Sequence, residues 1–174
     1  MLLKLGKLPE QRLPWLILAA IALLLEAAAL YFQYAMDLGP CEMCIYQRTA
    51  MLGLLLAGVT GAINPQNIVF RLLGFTTWAV SAIWGFLIAK EHIARQGNTD
   101  PFAFSGCAFE PNFPDFLPLH HWAPWFFEVR GDCGSIDWQF LGLSMPGWMQ
   151  VIFAIASAAC IIVLASRLFI AKKI

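Results

Sequence analysis

Residues 13–36 read LPWLILAAIALLLEAAALYFQYAM, a 24-residue stretch in which Glu26 is the one formal charge. An α-helix rises about 1.5 Å per residue, so some 20 apolar residues cross the ~30 Å hydrocarbon layer of a bilayer. A carboxyl at mid-span costs about 3 kcal/mol on an insertion scale. Eight Leu and Ile residues between Leu16 and Leu30, at about −0.5 kcal/mol each, offset it. The stretch therefore reads as a membrane helix. It is too long for the apolar part of a signal peptide and is followed by more such stretches, so it is expected to stay in the mature protein.

Working outward, residues 45–63, 70–89 and 148–170 give three further spans, and the whole 174-residue chain reads as one all-α membrane domain, a bundle of four transmembrane helices. Composition agrees. Hydrophobic residues make up 60% and charged residues 13%, against about 25% charged in soluble domains, and mean hydropathy is +0.69. Zero net charge gives no reason to expect nucleic acid as a partner. Asn64-Pro65 and Gly39-Pro40 supply turns between spans.

The flanking charges orient the bundle. Lys4, Lys7, Arg12, Arg71, Arg167, Lys172 and Lys173 mark one side as cytoplasmic, with both termini there. The loops 37–44 and 90–147 then face the periplasm, the longer one rich in Asp and Glu. Within it, residues 116–127 (FLPLHHWAPWFF) are too short and too Pro-broken to span. They read as a short interfacial helix on the bilayer surface or, alternatively, as a loop packed on itself.

Four of the five cysteines, Cys41, Cys44, Cys107 and Cys133, lie in these two loops, in the compartment where disulfides persist. Cys160 sits inside the last span and reads as a small hydrophobe. Cys41-Glu-Met-Cys44 has C-x-x-C spacing at the start of span two, where unpaired N–H groups and the helix dipole favour a thiolate. Redox chemistry, a structural disulfide and half a zinc site are the readings. Zinc is disfavoured, because Cys107 and Cys133 are far apart and His120-His121 lacks ligand spacing. Arg48 lies one helical turn beyond Cys44, as a thiolate-stabilising cation or an interface anchor.

Cys41-x-x-Cys44-x-x-x-Arg48 entering span two, with a second cysteine pair before span four, resembles the DsbB family of bacterial disulfide bond formation proteins. Glu26, Pro40-Cys41, Ile45-Tyr46, Glu91-His92, Gly131-Asp132-Cys133 and Phe140-Leu-Gly-Leu before Met145-Pro146 extend the resemblance over nearly the whole chain. It implies an inner-membrane enzyme that oxidises a periplasmic DsbA-like thiol oxidase and passes two electrons to the quinone pool, ubiquinone or menaquinone. It further implies that Cys107 and Cys133 pair, that Cys107 forms the mixed disulfide, and that Cys133 passes electrons to Cys41. Cys44 would face the quinone as a thiolate, with Arg48 beside it and His92 at the quinone carbonyls. Gln47 departs from the family's Glu and alters the charge expected there.

The resemblance has a thermodynamic consequence. DsbA sits near −120 mV and a thioredoxin-type pair near −270 mV, a gap of about 7 kcal/mol for two electrons, so an ordinary pair needs a downstream acceptor. Motifs for heme, flavin or NAD are absent from the sequence. Two rivals make different demands. The vitamin K epoxide reductase type places its C-x-x-C before a late span, the reverse of the order here, and a non-enzymatic scaffold would hold one structural disulfide. Glu26 is read either as an interhelical hydrogen-bonding group or as a route for proton uptake.

Overall fold

The computed structural model describes residues 7–96 and 107–170. A 3-10 turn, Leu8–Glu10, leads into α1 (Arg12–Ala35), followed by α2 (Glu42–Ile63) and α3 (Ile68–Arg95). Two single-turn helices, α4 (Leu119–Trp122) and α5 (Pro124–Phe127), precede a hairpin of β1 (Gln139–Phe140) and β2 (Leu143–Ser144). The chain ends in α6 (Met145–Ala165), which continues as a π-helical turn, Ser166–Ile170. Among the described residues, four helices are long and apolar enough to cross a membrane: Arg12–Ala35, Glu42–Ile63, Ile68–Arg95 and Met145–Phe169.

Local chemistry sets where the helices begin. Asn67 caps α3, its Oδ1 accepting from the Val69 N–H at 2.8 Å, and Pro146 stands in the first turn of α6, where a missing N–H costs nothing. The helices outrun the apolar stretches at the cysteine end. Lys90, Glu91 and Arg95 are good helix formers, and backbone hydrogen bonding continues whatever the side-chain polarity. As a result α3 carries His92 and Arg95 on its last turns, and α2 takes in Cys44. The hairpin, which no pattern in the sequence announces, turns through Leu141 and Gly142, both at positive φ.

Helix α2 packs against α1 and α3, and α3 against α6. All four contribute to one core: Ala22, Ala50, Met51, Leu54, Ala82 and Phe153. A second cluster holds Trp15, Phe75 and Cys160, so Cys160 occupies an apolar site away from the other cysteines. The outward faces are equally apolar, with Leu24 69%, Val80 67% and Ile155 64% exposed. That pattern is costly in water and natural in lipid.

With lipid outside, apolar burial does not hold the helices together, and close approach does. At Gly58 a Cβ would sit 2.6 Å from the Ala19 backbone N and 2.7 Å from the Trp15 carbonyl oxygen, so only glycine lets α1 and α2 meet here. The end remote from the C-x-x-C gathers cations onto backbone carbonyls at the turn between α2 and α3. Arg12 donates to the Ile63 oxygen and Arg71 to the Pro65 oxygen, while Arg167 pairs with Glu10 at 3.3 Å, joining the two ends of the described chain. Lys4, Lys172 and Lys173 lie outside the described residues.

Gly58→Ala should lower stability by about 1–3 kcal/mol, because the clash is with backbone and cannot be relieved by a rotamer change. Reversible unfolding in detergent would read this, and an unchanged midpoint would refute the close α1–α2 contact.

Candidate functional site

Cys41 is the residue that starts α2. Its backbone is extended (φ −83°, ψ 172°), and its Sγ accepts from the Cys44 N–H at 3.2 Å, the place a Ser or Asp side chain takes in an ordinary cap. The C-x-x-C then brings the two free thiols together, Sγ to Sγ 2.6 Å. The hydrogen bond shared with Cys44, and after it burial, push the Cys41 thiol well above the ordinary thiol range. Both effects favour the protonated form at Cys41. Cys44, in the first helical turn among unpaired N–H groups, is the member suited to negative charge.

Three polar side chains surround the pair. The His92 ring lies with Nε2 3.5 Å from Cys41 Sγ and Nδ1 3.0 Å from Gln47 Nε2. Since the Gln47 amide donates to Nδ1, the ring proton sits on Nε2 and points at the Cys41 sulfur. Gln47 thus acts on His92 and through it on Cys41. Arg48 is 8% exposed and turned inward. Its Nη1 donates to Gln33 Oε1 at 2.6 Å and to the Phe126 carbonyl oxygen at 3.1 Å, its Nη2 to the Ala29 carbonyl oxygen at 3.1 Å, and its guanidinium stands over the Phe126 ring.

Cys107 and Cys133 are joined in a disulfide. Cys133 is fully buried, and its Sγ, that of Cys41 and a ring nitrogen of His92 all lie within 4.8 Å of one another. These three atoms could hold a metal by spacing alone, but the Cys133 sulfur already has its second bond to Cys107. Cys107 is half-buried, with Arg95 Nη1 3.7 Å from its sulfur and Arg95 also paired with Glu91. A cation there stabilises any thiolate released at Cys107.

Backbone ties hold the loop pair over the C-x-x-C. The Arg130 and Gly131 N–H groups both donate to the Pro40 oxygen, at 2.8 and 3.1 Å. A Cβ on Gly131 would fall 2.3 Å from the Gly39 oxygen, so the two strands of chain meet only because that residue is glycine. On the other flank, Glu42 Oε2 accepts from the Ala108 N–H at 2.7 Å, and the Tyr46 hydroxyl accepts from the Asn112 N–H at 2.7 Å while donating to Glu42 Oε1.

Below the C-x-x-C lies a cavity of about 200 Å³, lined by Cys41, Cys44, Gln47, Arg48, His92 and Glu26 among apolar side chains that include Phe32, Met51, Trp148, Met149 and Ile152. The 116–127 segment lies against the bundle beside Arg48, whose guanidinium donates to the Phe126 carbonyl oxygen. Phe126 and Phe127 bury against Ile45, while Trp122 and Trp125 stay exposed. The segment packs both on the bundle and on itself, with Trp125 against Phe126 and Phe126 against Phe127.

The structure thus gathers Cys41, Cys44, Cys133, His92 and Arg48 into one site, with Cys107 at its outer edge. His120 and His121 stack beside Phe113 instead. Sequence reasoning missed Gln33, which holds Arg48, and Arg95. Gln33 carries no motif, and Arg95 is, by residue order alone, one more loop charge.

Two cysteine pairs stacked at one end of a four-helix, multi-pass membrane bundle define a membrane-bound disulfide oxidoreductase. The chain belongs to the DsbB family: the profile described as "Disulfide bond formation protein DsbB" matches residues 11–163. It is 59% identical over 170 residues to "Disulfide bond formation protein B" of Pseudoalteromonas translucida, covering 98% of each chain. Proteins of the same description from Psychromonas ingrahamii (51% identical, covering 94% of this chain and 88% of the relative) and Vibrio cholerae (50%, covering 83% of each) are also similar to it.

Gly131→Ala should separate the Cys133 loop from Pro40 and slow thiol exchange between the two pairs by on the order of 10-fold to 100-fold, as expected for a displacement near 1 Å. Rapid-quench thiol trapping measures it. A wild-type exchange rate would show that this approach does not control the transfer.

Proposed function

We propose that the protein oxidises a DsbA-like thiol oxidase and passes the two electrons through Cys107–Cys133 and Cys41–Cys44 to membrane quinone. The observation that carries this reading is the placement of Cys133 Sγ within 4.8 Å of Cys41 Sγ, while Cys107 lies on the accessible side and Cys44 lines the cavity. Cys107 is the half-buried outer sulfur, Cys133 and Cys41 are buried behind it, and Cys44 borders the cavity.

The partner's thiolate attacks Cys107 Sγ, and the Cys107–Cys133 bond breaks, leaving the Cys133 thiolate inside. When Cys41 and Cys44 are bonded, the Cys133 thiolate attacks Cys41 Sγ and Cys44 leaves as a thiolate at the start of α2. The partner's second thiolate attacks the partner's own sulfur in its mixed disulfide with Cys107, so that the partner's disulfide forms and Cys107 leaves as a thiolate beside Arg95. Cys107 then resolves the Cys133–Cys41 bond, restoring the loop disulfide and leaving both thiols of the C-x-x-C reduced. The resting arrangement of bonds matches that stage.

The cavity fits a quinone. It is largely apolar, it reaches the Cys44 sulfur, and Arg48 and His92 are among the side chains that line it. Bound there, a quinone, ubiquinone or menaquinone, supplies the two-electron acceptor. Arg48 holds the Cys44 thiolate by charge, and His92, oriented by Gln47, holds Cys41 against it. The Lys and Arg distribution supports a redox end in the periplasm and both termini in the cytoplasm of a bacterial inner membrane, with the Trp122–Trp125 side against the bilayer.

Cys41→Ser or Cys44→Ser should abolish quinone reduction. Cys107→Ser should block oxidation of a DsbA-type dithiol protein while a small dithiol still drives quinone reduction through Cys41–Cys44. Normal turnover in any of the three against a dithiol protein would sink the relay.

For Arg48→His, the guanidinium is charged at every accessible pH, whereas imidazole loses its charge above about 6.5. The variant should therefore show a raised quinone KM that worsens as pH rises through neutrality. A KM equal to wild type from pH 6 to about 8.5 would leave Arg48 a purely structural tie.

A further inference from the structure

We propose that Glu26 is the proton donor of the quinone site, supplying from its carboxyl group one of the two protons that reduction consumes; the inference rests on the quinone reading above. Glu26 is 4% exposed and lines the same cavity as Cys44 and Arg48. Both carboxyl oxygens are buried and neither has a hydrogen-bond partner among the described residues. Its polar neighbours around the cavity are all engaged. Arg48 is committed to Gln33, Phe126 and Ala29, and Gln47 and His92 to one another. An interhelical hydrogen bond is thus not what Glu26 provides.

A carboxylate anion buried without donors is expensive, while the neutral acid costs far less. A neutral acid facing the cavity is a held proton. The stoichiometry calls for one. The Cys44 thiolate, the Cys41 thiol and quinone together bring a single proton, whereas hydroquinone needs two. With Glu26 the step closes: the Cys41–Cys44 bond forms, its two electrons pass to quinone, one proton comes from Cys41 and one from Glu26, and the products are the disulfide, hydroquinone and the Glu26 carboxylate.

Charge is conserved inside the cavity, because the negative charge lost from Cys44 reappears on Glu26. Arg48 interacts electrostatically with both. One fixed cation therefore balances the site before and after the step, and no charge has to enter from water while the electrons move.

The test uses the full chain in detergent with a short-chain ubiquinone. Infrared spectra of the quinone-free protein should contain a protonated carboxyl band that Glu26→Gln lacks. Single-turnover reduction by that variant should be slower by on the order of 100-fold, with Glu26→Asp recovering part of the rate. Exchange between the cysteine pairs in the quinone-free variant reports whether its fold is kept.

If Glu26→Gln does not fold, the wild type decides alone. Its carboxyl band should bleach as hydroquinone forms, ahead of proton uptake from bulk read by an indicator dye. A wild-type rate in a folded Glu26→Gln, a wild type without the band, or a band that does not bleach overturns the proposal. A wild type that exchanges thiols but never reduces quinone overturns the quinone reading itself, and this inference with it.

Discussion

A buried guanidinium organises the redox end of this bundle. Taking Arg48 out of water costs several kcal/mol, and that cost is offset only where oxygens are held in the right places. Here they come from three separate parts of the chain: the Ala29 carbonyl and Gln33 amide on the first helix, and the Phe126 carbonyl in the aromatic loop. Moving any of these segments strands a buried charge. The first helix, the second helix and the aromatic loop are thereby fixed in one mutual arrangement. The cavity between them is a consequence, as is the position of Cys44 one turn away.

A further constraint is the double duty of Cys41. As the cap of the second helix it satisfies a backbone N–H that would otherwise be orphaned. As a thiol it lies between Cys44 on one side and His92 and Cys133 on the other. Capping fixes its sulfur to the helix axis, and an exchange reaction needs such a fixed attacking or leaving atom. Membrane packing supports this indirectly. Because lipid removes the usual drive to bury apolar surface, contacts such as Gly58 on Ala19 hold the helices rigidly enough for sulfur atoms to stay in register.

Much was legible from residue order alone, and the reason is the solvent. A bilayer demands about 20 apolar residues for each crossing and penalises every exception, so the four spans, and the oddity of Glu26, Arg48 and the C-x-x-C, stand out without any structure. The DsbB resemblance rested on the same local signals. Less legible were the groups whose role lies only in what they touch: Gln33, Arg95, Gly131 and the short hairpin through Leu141 carry no spacing that announces them. Gln47 reads as a lost charge in the sequence, and only the fold shows its amide orienting His92.

The sequence by itself determined the membrane setting, the number of membrane-spanning helices, the cysteine pair at a helix start and the cation one turn beyond. All of these are contacts within a few residues, or a solvent preference averaged over about twenty. Tertiary structure alone decided which sulfur faces which, that Arg48 turns into the protein rather than towards lipid, and that Glu26 shares a cavity with Cys44 while having no hydrogen-bond partner among the described residues. Those facts join residues far apart in the chain, as Arg48 is joined to Gln33 and to Phe126. Local periodicity cannot encode such separations, because they are set by how close the glycine and alanine faces of the helices allow one backbone to approach another.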